Sequence, residues 1–148
     1  MENLESYLLQ TVKESPDAIL IADLAGIIRY WNAGAERLLG FTAAEAVGQS
    51  LDIIIPENQR ARHNEGYDQV MASGETKYKT GLLSAPALRK DGSRISLEFS
   101  IVLLRDASGA MQGCASIMRD VTERWQREKE LKERLAACEA RLAGQGRQ

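Results

Sequence analysis

Ser93-Arg94-Ile95-Ser96-Leu97-Glu98-Phe99-Ser100-Ile101-Val102-Leu103-Leu104 alternates apolar and polar side chains along most of its length. Ile95, Leu97, Phe99, Ile101 and Leu103 fall on one side of an extended chain, and Ser96, Glu98 and Ser100 on the other. Successive side chains of a strand point to opposite faces, so this period of two predicts a strand with one buried face. Asp91-Gly92 before it and Asp106-Ala107-Ser108-Gly109 after it are turn sequences. They predict hairpins joining it to strands over residues 78–88 and 110–119.

Toward the N-terminus, Ala18-Ile19-Leu20-Ile21-Ala22-Asp23 and Ile27-Ile28-Arg29-Tyr30-Trp31 flank the turn Leu24-Ala25-Gly26 and read as another hairpin. Before it, Leu4, Leu8 and Val12 recur at helical spacing until Ser15-Pro16-Asp17 stops the helix. After it, Asn32 stands at a helix N-cap with Ala35, Leu38 and Leu39 on the buried face and Gly40 at the end. Thr42-Ala43-Ala44-Glu45 is a capping-box pattern for a short helix closed by Gly48. Residues 56–73 read as a longer helix ended by Gly74. Two strands, several helices and three strands in that order predict an α+β fold, a five-stranded antiparallel sheet with its helices on one face.

From Asp120 onward charges dominate, and Glu128, Leu131, Leu135, Cys138 and Leu142 keep 3-4 spacing. This predicts an amphipathic or short coiled-coil helix ahead of a frayed end over 144–148. The division expected is a flanking helix over 1–14, a domain over 15–120 and a C-terminal helix over 121–148. Such short helices are marginal alone, so a homodimer through both is expected, with a signalling partner protein downstream.

Composition narrows the function classes. With 148 residues, 44% hydrophobic and 27% charged, the chain has the balance of a globular domain. A formal charge of −2 offers no basic field for nucleic acid. No apolar run approaches the roughly 18 residues of a membrane span, and the acidic start is no signal peptide, so a cytoplasmic protein is expected. Cys114 and Cys138 lie in different expected elements and read as reduced thiols. Glu36, Glu45, Asp91 and Glu98 are scattered over separate elements, and no phosphate loop is present, so no enzyme is expected.

His63 is the chain's one histidine. An imidazole can hold one axial position of an iron whose other ligands come from a macrocycle, whereas it cannot build a zinc site by itself. The plainer alternative is a polar residue on an ordinary helix.

Several stretches together resemble the PAS family: Asp17 to Asp23, Gly26-Ile27-Ile28-Arg29-Tyr30-Trp31-Asn32, Glu36 to Phe41, Arg89-Lys90-Asp91-Gly92 and Met118 to Arg124. The resemblance covers about residues 15–124 and implies a sensory PAS fold. Its closing Asp120-Val121-Thr122-Glu123-Arg124 is similar to the motif that joins PAS sheets to an output helix.

Within the family, Ile55-Pro56 through His63 and Tyr67 to Gly74-Glu75 resembles haem-binding members, rhizobial oxygen-sensor kinases and carbon-monoxide-responsive regulators among them. The resemblance implies haem b with His63 as proximal iron ligand, Lys77 near a propionate, and Tyr67, Tyr78, Leu83, Ile95, Phe99 and Ile101 around the cofactor. Leu83 falls where the oxygen sensors carry a distal arginine, and Ser93 near where the carbon-monoxide regulators carry a ligating methionine. The implied signal is therefore carbon monoxide, nitric oxide or redox state rather than stable oxygen binding. Leu51 occupies the place of the reactive cysteine of flavin photoreceptors, so flavin-cysteinyl photochemistry is not expected. Two other functions fit the same fold: a haem-free dimerisation and relay module, and a pocket for a small organic ligand.

Overall fold

The computed structural model describes residues 2–77 and 81–146. Helix α1 (Leu4–Glu14) precedes the hairpin of β1 (Ala18–Asp23) and β2 (Ile28–Trp31). Helices α2 (Ala33–Leu39) and α3 (Ala43–Ala46), two 3-10 turns and α4 (Arg60–Ser73) follow. The chain then forms β3 (Leu83–Leu88), β4 (Arg94–Arg105), β5 (Met111–Asp120) and the helix α5 (Thr122–Gln145).

The strands make one antiparallel sheet in the order β2-β1-β5-β4-β3. Its inner face carries Ala18, Leu20 and Ala22 of β1, Met118 of β5 and Leu97 and Ile95 of β4, all buried. Against them pack Ala35 and Leu39 of α2, Ala46 of α3, and Leu51 and Ile54 of the first 3-10 turn. Ile28 and Leu39 are 0% exposed. Burying side chains of that size contributes about 1.5–3 kcal/mol each. Trp31 closes the β2 side, its Nε1–H donating to the Phe41 carbonyl at 2.9 Å.

Local chemistry sets the element ends. Asn32 caps α2 by accepting the Ala35 N–H at 2.9 Å, and Gly40 at φ +83° supplies the left-handed C-cap that L residues resist. Thr42 and Glu45 form the expected reciprocal capping box. Pro86 lacks an amide hydrogen, which β3 tolerates as an edge strand.

Several boundaries differ from those read in the sequence. The stretch after Pro56 opens as a 3-10 turn, Glu57–Gln59, and becomes α-helical only at Arg60. Another 3-10 turn, Leu51–Ile54, was not anticipated, because four residues are too few to display a period. Ile27 makes an isolated bridge to Ser50, so β2 begins one residue later. Strand β3 begins at Leu83, with Gly81 and Leu82 ahead of it outside the strand, and the expected start at Tyr78 lies outside the described residues. Gly144 and Gln145 continue α5 instead of fraying.

Candidate functional site

Helix α4 presents His63, and contacts at the middle and at the C-terminal end of the helix fix its place. Near its middle the Tyr67 hydroxyl donates to the Asp23 carbonyl at 2.6 Å, tying α4 to the β1–β2 turn. That turn is itself rigid: the Asp23 carboxylate accepts from the Ala25 and Ile27 amides and from Arg29. Slight burial opposes the charge, yet these donors prevail and hold Asp23 below the usual carboxylate range. Burial, reinforced by nearby Cys114 and Asp23, pushes the Tyr67 phenol up, so it remains a donor. At the C-terminal end, Gly74 adopts φ +68° and its carbonyl accepts from Arg105 of β4. The left-handed φ of Gly74 is what favours glycine there, since a Cβ would meet only the flexible tip of Arg105 at 2.9 Å.

The His63 imidazole is half-buried and lies nearly parallel to the Tyr67 ring, with centroids 6.1 Å apart and planes at 26°. Its Nδ1 is 3.4 Å from the Asn64 side-chain oxygen, a long contact. The ring opens on a cavity of about 220 Å³ lined by Ala25, Gly26, Ser50, Leu51, Asn64, Tyr67 and Asp68. Of the described residues expected around a haem, Tyr67 alone shares that cavity with His63.

The sheet residues stand elsewhere. Ile95 is buried in the core, and Phe99 packs against it. Leu83 is half-buried on the edge strand opposite Phe99. Ile101 lines another cavity of about 510 Å³ with Leu103, Arg105 and Gly74–Thr76. The two cavities have no lining residue in common. Lys77 is exposed.

These positions test the fit of haem. A proximal imidazole needs an apolar slot large enough for a macrocycle, whereas ligand pockets generally occupy roughly 300–1,000 Å³. The 220 Å³ space at His63 is smaller and is walled by Ser50, Asn64 and Asp68. Ile95 and Phe99 are packed in the core, Ile101 faces the other cavity, and Leu83 stands on the sheet edge. As arranged, the residues do not fit haem. Among the described residues, no group of three or more His, Cys, Asp or Glu gathers to hold a metal ion. No described helix is long and apolar enough to cross a membrane.

Sequence reasoning found His63 and Tyr67 but missed Asp23, Gly26, Ser50 and Arg105. These come from distant segments brought together by the sheet, which no spacing rule displays.

Comparison with known proteins agrees with the architecture. A family model described as the PAS fold matches residues 12–126. The sensor protein FixL of Bradyrhizobium diazoefficiens is 30% identical over 129 residues, covering 87% of this chain and 25% of that protein. The oxygen sensor protein DosP of Escherichia coli is 27% identical over 96 residues, covering 57% of this chain and 12% of DosP. A solved RNA-binding light-oxygen-voltage receptor superposes with a TM-score of 0.74 at 26% identity, over 91% of this chain and 38% of the receptor. The chain thus spans a quarter or less of these curated relatives.

Proposed function

Because this chain belongs to the PAS family of sensory domains, we propose that it is a haem-free relay module that passes its state through α1 and α5 to a partner protein. The observation that carries this reading is the amphipathic character of the flanking helices beside a filled interior. Leu4, Tyr7, Leu8 and Leu9 of α1 are exposed, as are Trp125, Leu131, Leu135 and Leu142 of α5. On a helix of 24 residues, Leu131, Leu135, Cys138 and Leu142 at 3-4 spacing make a seam suited to a second copy of the chain. Such a seam is costly to leave in water, and a homodimer would cover it.

The junction supports the relay. Val121 N–H donates to the Ser96 carbonyl at 2.9 Å, and the Ser96 amide donates to the Thr122 hydroxyl at 2.9 Å. The first turn of α5 is therefore stitched to β4, and strain in the sheet reaches it directly. Deleting the residues after Arg124 tests the proposal: light scattering should show weaker self-association with the fold retained. A dimer of unchanged strength, or a monomer before truncation, contradicts it.

A second reading is favoured by the likeness to FixL and DosP. It places haem on His63 and makes a diatomic gas, carbon monoxide or nitric oxide, or redox state the signal. It requires α4 to part from the β1–β2 turn and from Arg105 to admit the macrocycle. The two readings separate on whether added haemin binds in a manner that depends on His63.

A further inference from the structure

We propose that one path couples the two flanking helices so that loosening one loosens the other: hydrogen bonds join Asn32 to Asp17, Asp17 to Arg119 and Glu98 to Arg124, and the cross-strand attraction of Arg119 and Glu98 closes the gap between them. The relay reading gives the path its purpose, but the coupling is a property of the single chain and is measured without any partner.

The path begins at α1. The Asn32 amide, 3% exposed, donates to the carbonyls of Val12 at 2.8 Å and Asp17 at 3.0 Å. It thereby fixes the last turn of α1 and the segment after it against the sheet. The Asp17 carboxylate, one residue before β1, accepts from Arg119 Nε at 3.0 and 3.1 Å. Arg119 stands on β5 directly opposite Glu98 of β4. An opposite-charge pair in that register attracts across the strands. Glu98 in turn accepts from Arg124 in the first turn of α5.

Each contact is modest, because exposed ion pairs are screened and their side chains lose freedom. Two features raise them above ordinary surface pairs. The acids are partly sheltered, with the side chains of Asp17 and Glu98 26% and 22% exposed. Glu98 also faces two cations from different elements, so moving Arg124 alters the field that orients Arg119. The far end is held by Asn32, whose buried amide has no room to rearrange.

The test is hydrogen–deuterium exchange by mass spectrometry on the full chain, reading the last turn of α1 and the first turn of α5 separately. Glu98→Gln, which touches neither Asp17 nor α1, should raise exchange in both turns by about two- to fivefold, the range of one such pair. Asp17→Asn should do the same from the opposite end. In the double variant Asp17→Asn/Arg124→Gln the effects should fall short of the product of the singles, because one path has already been cut. Glu128→Gln, which meets Arg124 at 3.9 Å from outside the path, is the control and should leave α1 unchanged. Exchange that rises only in the helix nearest each substitution, or effects that simply multiply, overturns the proposal. None of these side chains is fully buried, so each variant should fold, and circular dichroism checks that it does.

Discussion

Asn32 shows how far a single side chain reaches beyond what its position in the sequence suggests. Its oxygen accepts from the Ile19 and Ala35 amides while its nitrogen donates to Val12 and Asp17, so β1, α2 and the end of α1 meet on one amide. The N-cap role was legible from an asparagine placed just before an apolar helical face. The contacts to Val12 and Ile19 were not, since they depend on how the first helix lies on the sheet. Removing a cap costs about 0.5–2 kcal/mol and leaving buried groups unpaired about 1–3 kcal/mol. Asn32→Ala should therefore lower stability by about 2–4 kcal/mol in urea unfolding, and a loss below about 0.5 kcal/mol would deny it this role. The two cysteines differ in the same residue-level way. Burial pushes the Cys114 thiol up to about 11, whereas Cys138 is exposed on α5. The thiolate is the reacting form, so iodoacetamide should label Cys138 in the folded monomer, more slowly once a second copy covers the α5 seam, and Cys114 only after unfolding. Peptide mapping reads both sites.

Among the elements, α3 was the most legible, because its capping box is written in adjacent residues. What the sequence did not show is that Glu45 also pairs with Lys90 in the β3–β4 turn, bringing a helix of four residues against the sheet's far hairpin. Lys90, followed by the Thr42 amide and hydroxyl, holds the Glu45 carboxyl down to about 2 from an ordinary value of 4.5. A depressed carboxyl stabilises the fold above its unfolded value and loses that contribution as pH falls through the folded one. The loss should thus run from about pH 4.5 down to about pH 2. Glu45→Gln keeps a capping side chain but removes the titration, so its melting temperature should fall less steeply across that window. An unchanged slope would assign the acid sensitivity to other carboxylates. Strand β4 was legible as well, although its alternation marks a buried face only at Ile95 and Leu97. The 3-10 turns and the start of β3 were not, because short or edge segments carry no complete period.

For the whole molecule, the sequence conveyed the fold class and the resemblance to the PAS family, because hairpin turns and period-two strands are local signals. It could not convey whether α4 rests on the sheet or stands away from it. That depends on Tyr67 reaching Asp23 and Arg105 reaching Gly74 across the molecule. The closed arrangement is why the reading favoured here sends the signal through the flanking helices and makes His63 part of a polar cavity. Titrating the purified protein and its His63→Ala variant with haemin, while recording the Soret band, tests that account most directly. The account predicts no saturable one-to-one band that depends on His63, with the two proteins giving the same spectra. A one-to-one Soret band in the unmodified protein that His63→Ala abolishes would contradict it.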